Sequence, residues 1–99
     1  MRMMLRWTVP VDKGNETIKD GSLAATLQSL LGELKPEAAY FWPENGERAG
    51  MIVFDMADTT QIPQIAEPLF LNLDAAVEFL PVMNADDLRT ALEKVAAKG

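Results

Sequence analysis

Arg6 and Glu78 are ionisable residues set inside otherwise apolar, alternating segments, within residues 2–9 and 74–83. A carboxylate in such surroundings can be tuned by desolvation to accept a proton, and a guanidinium can hold an anionic or carbonyl oxygen. Glu78 and Arg6 are therefore the best catalytic candidates, as base and as anion stabiliser. The competing reading is a cross-strand ion pair that fixes register. Tyr40 and Trp42, two apart, would point the same way along a strand. They either line a cavity with their polar tips inward or serve packing alone. Arg6, Tyr40, Trp42 and Glu78 form the candidate ligand-binding set. Arg48, just after a turn, reads as a solvated rim charge or as a residue at a cavity mouth. Asp55 is a strand-end cap or a third ionisable group. Glu67, before Pro68, either binds backbone N–H groups freed by a kink or is a surface carboxylate.

What is missing narrows the chemistry. The 99 residues contain no histidine and no cysteine. That removes thiol nucleophiles, disulfides, imidazole bases and the usual zinc and haem ligands. No G-x-S-x-G occurs, and Gly14, Gly21 and Gly32 fit no phosphate-cradling loop. Asp86-Asp87 reads better as helix capping than as a Mg²⁺ or Ca²⁺ site. No cofactor and no metal are expected. With 15 acidic against 9 basic residues the net charge is -6, which disfavours nucleic acid and anionic membranes. No apolar run approaches the roughly 18 residues of a spanning helix, and the start lacks a signal-peptide core. A cytoplasmic single domain, residues 1–99, is the expectation.

The elements that must position these residues are legible from periodicity. Met3, Leu5, Trp7 and Val9 share one parity and Arg2, Met4, Arg6 and Thr8 the other, which predicts a strand ending near Pro10. Asp12-Lys13-Gly14-Asn15-Glu16 reads as a loop. Leu23, Leu27, Leu30, Leu31 and Leu34 predict one amphipathic helix, capped by Ser22 or starting near Thr17 and stopped by Pro36. Residues 37–43 and 48–56 flank Asn45-Gly46, a strong hairpin signal. Ile62, Ile65, Ala66, Leu69 and Phe70 predict a second helix with a kink or early end near Glu67, before Pro68. Residues 74–83 alternate again, and Pro81 places that strand at an edge. Asn84 caps a third helix with the stripe Leu88, Ala91, Leu92 and Val95.

The order β-α-β-β-α-β plus a terminal helix predicts an α+β, ferredoxin-like fold: a four-stranded antiparallel sheet, strand order 4-1-3-2, with two helices on one face. The other face should be polar, yet Met4, Met51, Val53, Leu80 and Val82 fall on it. An apolar face of this size is rarely left in water, so a homodimer packed sheet to sheet is expected. The third helix covers that face or reaches to the partner. The six methionines read as gap-filling core.

The pattern from Pro36-Glu37-Ala38-Ala39-Tyr40-Phe41, through Asn45-Gly46 and Met51-Ile52-Val53-Phe54-Asp55-Met56, to Val77-Glu78-Phe79-Leu80-Pro81-Val82-Met83 and Asp86-Asp87-Leu88 resembles the dimeric α+β barrel superfamily. Within it the chain looks most like small bacterial proteins of a domain-of-unknown-function group. The resemblance implies a dimeric barrel. It also points to the range of activities in that superfamily, including cofactor-independent quinone-forming monooxygenases, muconolactone isomerases, haem-degrading enzymes and stress-response proteins. The haem branch relies on histidine, which this chain lacks. Acylphosphatases share the monomer topology, but their phosphate-binding arginine has no counterpart between Pro10 and Asn15. Three functions follow. One is a homodimer binding a small, mostly apolar ligand between sheet and helices, without turnover. Another is a cofactor-independent monooxygenase or isomerase acting on an aromatic or enolisable substrate, with Glu78 or Asp55 as base and Arg6 or Tyr40 stabilising the enolate. The last is a structural interaction module with a filled barrel.

Overall fold

A computed structural model describes all residues, Met1–Gly99. Its elements are β1 (Arg2–Val9), α1 (Val11–Asp20), α2 (Ser22–Leu34), β2 (Ala38–Glu44), β3 (Glu47–Asp55), α3 (Gln61–Leu73), β4 (Ala76–Pro81) and α4 (Ala85–Lys98). The four strands form one antiparallel sheet in the order β2-β3-β1-β4. That order and these connections define the ferredoxin-like α+β fold, with the order expected from the sequence.

The alternation in β1 becomes two faces. Met3, Leu5, Trp7 and Val9 are buried beneath the helices, and Arg2, Met4, Arg6 and Thr8 are half-buried on the other side. Ile52 and Phe54 of β3 extend the inner face, where Ile65, Leu69 and Leu73 of α3 and Leu30 of α2 complete the core. The hairpin closes through Asn45 and Gly46 at φ 51° and 80°, both in the left-handed region a type I′ turn demands. Pro81 ends β4, an edge strand, where its missing N–H costs no ladder bond between central strands.

Three expectations need correction. Residues 12–16 are not a loop but lie within α1. Pro10 precedes the helix at φ -55°, and its carbonyl accepts from the Gly14 N–H at 2.8 Å. Gly14 serves close packing rather than a turn: a Cβ there would lie 2.5 Å from Nη1 of Arg48. The helical segment before Pro36 is two helices, broken at Gly21 with φ 83°, and Ser22 begins the second rather than capping it. Finally, of the kink or early end expected near Glu67, the early end does not occur: α3 runs through Pro68 to Leu73. Pro68 and Gln64, four residues earlier, are both exposed, so water can serve the carbonyl that loses its donor.

Two other expectations were incomplete. Only Met3 and Met56 among the methionines are core; Met4 and Met51 lie half-buried on the outer face, and Met1 and Met83 are exposed. The strand 74–83 is shorter, because Asp74 turns left-handed at φ 51° to end α3.

The terminal helix α4 has the strongest cap in the chain. The Asn84 side chain accepts from the Asp87 N–H at 2.8 Å, and the Asp87 carboxylate accepts from the Asn84 N–H at 3.1 Å. Yet α4 buries no residue, and its stripe is open: Leu92 is 56% and Val95 65% exposed. Its base is tied to the sheet by an ion pair between Arg2 and Asp87. The radius of gyration, 16.0 Å, exceeds the roughly 13 Å of a compact chain this long, and the longest dimension is 56 Å.

Gly50 shows how tightly the inner face is filled. It stands opposite both Trp7 and Phe41, and a Cβ there would come within 2.4 Å of the Trp7 ring. Gly50→Ala should destabilise the fold by about 1–3 kcal/mol in urea titration, the usual cost of overpacking. Gly32→Ala, where a Cβ would meet nothing within 4 Å, should be neutral or stabilising.

Candidate functional site

The predicted residues share one face. Glu78 pairs in register with Arg6, Arg6 with Met51, and Met51 with Tyr40, so a single row crosses all four strands. The next row is Ala76, Thr8, Ala49 and Trp42. On the far side Leu80, Met4, Val53 and Ala38 form an apolar row. Tyr40 is 66% exposed and Trp42 half-buried. Two strand spacings, about 10 Å, separate Tyr40 from Arg6.

The expected Arg6–Glu78 ion pair does not form, although the register is the one it needs. Arg6 instead donates to Glu44 at 2.9 Å, at the hairpin end of β2. Ala49, small and buried, lies between them on that face and leaves the long side chain a path. Glu78 is exposed and unpaired. Arg6, Thr8, Glu44, Ala76 and Glu78 border a hollow of about 140 Å³, too small alone for an ordinary ligand.

A second, larger concavity lies on the opposite side of the sheet. It holds about 420 Å³ between the sheet and the two N-terminal helices. Trp7 and Val9 of β1, Phe41 of β2, and Leu23 and Leu27 of α2 are among its lining residues. Trp7 meets Phe41 edge to face, with ring centroids 6.1 Å apart. The groove exists because the helices cover β1 and β3 but leave Phe41, on edge strand β2, 53% exposed. Arg48 stands at one end, on the inner face opposite Val9, and donates to the Asn15 side-chain oxygen at 3.2 Å.

Sequence reasoning placed Arg48 at a rim or a cavity mouth and a ligand between sheet and helices, and of its four candidate binding residues Trp42 also borders this groove; Arg6, Tyr40 and Glu78 do not, and Asn15 was missed. One signal was available: Arg48 shares its parity with Ile52 and Phe54, an inward position for a charge. Asp55 sits at the strand end and binds the Met1 ammonium at 2.7 Å. Glu67 is exposed and makes no side-chain hydrogen bond. No group of three or more carboxylates is arranged to hold a metal ion. No helix is long and apolar enough to cross a membrane.

The shifted ionisations all belong to local structure. Hydrogen bonds from the Ser22 hydroxyl and N–H hold Asp20 below the usual carboxylate value, and those from Thr60 do the same for Asp58. The hydrogen bond and then the charge of the Met1 ammonium lower Asp55. Arg2 is raised, chiefly by its bond to Glu37, with the charges of Asp87 and Glu37 adding.

No family model matches the chain, and no curated protein matches it. Among solved structures it is similar to the de novo designed protein Ferredog-Diesel, at 9% identity and a TM-score of 0.49, over 82% of this chain and 85% of that one. The fold assignment rests on this chain's own strand order and connections.

Two outcomes follow from these charges. A double-mutant cycle on Arg6 and Glu44 should give a coupling of about 0.2–1 kcal/mol, as for half-exposed pairs, and one on Arg6 and Glu78 almost none. Because Asp20, Asp55 and Asp58 are lowered in the folded state, the stability they contribute is present above their unfolded values, near 3.8. It is lost as pH falls through the lower folded values, so thermal melts should hold steady above about pH 5 and fall below about pH 4.

Proposed function

We propose that the chain is a homodimeric small-molecule-binding module whose ligand lies in the apolar groove and whose outer sheet face meets a second copy. The groove carries the reading. Its volume falls in the range of ligand sites, its walls are aromatic and aliphatic, and it has few polar groups.

The dimer part is supported by the row Leu80, Met4, Val53 and Ala38 with its neighbours Met51 and Tyr40, apolar surface that the chain does not cover itself. Four strands about 20 Å long at about 4.8 Å spacing offer a flat footprint of about 400 Å². A stable interface needs about 800 Å² per partner. The stripe of α4, extended and without a core of its own, is the other apolar surface available, and in this reading it crosses onto the second copy. The dimeric barrel and the likeness to small bacterial members of that superfamily belong to this proposal as well.

Binding rather than turnover is the reading the geometry favours, since Glu78 stands in water with no group set against it to share a proton. Titration of ¹⁵N-labelled protein with 2-naphthylmethanol, a neutral aromatic probe, tests the groove. Shifts centred on Trp7, Leu27 and Phe41, with a dissociation constant of about 1 mM or tighter, are expected. No shifts, or shifts confined to Met4, Val53 and Leu80, would overturn the site.

A further inference from the structure

The chain has four arginines. Three are neutralised: Arg2 by Glu37 and Asp87, Arg6 by Glu44, and Arg89 by Asp86. Arg48 alone has no carboxylate oxygen within ion-pair distance, in a chain where acidic residues outnumber basic ones 15 to 9. It is also the one arginine that borders the apolar groove, and the groove's only charged lining residue.

Its position is built. Arg48 is half-buried, and α1 passes close beside it: a Cβ at position 14 would meet Nη1 at 2.5 Å and Cδ and Cζ at 3.3 Å, so a larger residue there would push the guanidinium aside. The Asn15 side-chain oxygen accepts from Nη1 at 3.2 Å, which orients the planar group. A guanidinium has five N–H donors, and donating one of them to Asn15 leaves enough for a bidentate anion. A cation held by helix and strand, one partner short, at the end of an apolar cleft is complementary to a molecule with one anionic end and an apolar body.

We propose that Arg48 is the anion anchor of the groove and that the ligand class is a small aromatic or branched aliphatic monocarboxylate. The carboxylate lies on the Arg48 guanidinium beside Asn15, and the apolar body lies against Trp7, Phe41 and Leu27. This rests on the groove being a ligand site, and it adds the ligand's charge and polarity.

The experiment compares 2-naphthoate with 2-naphthylmethanol at pH 7, where the acid is ionised, by NMR titration of the full chain. The wild type should bind naphthoate about ten-fold more tightly than the alcohol, the gain of one charge-assisted contact. Arg48→Met, which keeps an unbranched stem over Gly14, should weaken naphthoate binding about ten-fold and bring the two compounds to equal affinity. Arg48→Lys should keep part of the preference, because an ammonium retains the charge but not the planar fork. Equal affinity of acid and alcohol in the wild type, a comparison that needs no variant, overturns the anchor and leaves the groove reading standing. A preference for naphthoate that survives in folded Arg48→Met also overturns it. Binding of neither compound overturns the groove and the anchor together.

Discussion

A sheet buries apolar area only against another layer, and this chain packs helices on one face. α2 and α3 cover the side carrying Leu5, Ile52 and Phe54. On the other side Met4, Met51, Val53 and Val82 are half-buried and Leu80 is exposed, with nothing from the same chain laid over them. That imbalance governs the rest. It explains an apolar run on both parities of β3, and a terminal helix with a complete capping box but no core. It also explains an elongated outline in a chain of only 99 residues. Apolar area of this kind is what the proposed second copy would cover.

The inner face carries the opposite constraint, crowding. Gly50 lets Trp7 and Phe41 meet across β3, and Gly14 lets α1 approach Arg48. At Gly50 the rigid Trp7 ring takes the space a Cβ would fill, and at Gly14 the Arg48 side chain does. The two close approaches frame the groove: one sets its aromatic wall and the other holds the guanidinium at its end. The packing that makes the fold thus also places the one arginine left without a carboxylate.

Much of this was legible in residue order. The parity of Met3, Leu5, Trp7 and Val9 gave the strand and its inner face, Asn45-Gly46 gave the hairpin, and Pro81 gave an edge strand. Parity also put Arg6, Tyr40, Trp42 and Glu78 on one face, and the register aligned Arg6 with Glu78. It could not choose between two carboxylates within reach of one long side chain, and Glu44 took the contact. α1 was hidden because its buried residues are Gly14 and Thr17, so its inward face carries no large apolar side chain, and a glycine among polar residues imitates a loop. A site between sheet and helices was expected, but the groove's actual walls were hidden for another reason. They depend on where the helices stop short of β2, a three-dimensional remainder that no local pattern records.

The account stands or falls on whether the outer sheet face is covered by a second copy. Sedimentation equilibrium across the micromolar range measures this without assuming shape, which matters for an elongated molecule. The account predicts a single species of twice the 10.9 kDa chain mass. A species of 10.9 kDa throughout that range would contradict it.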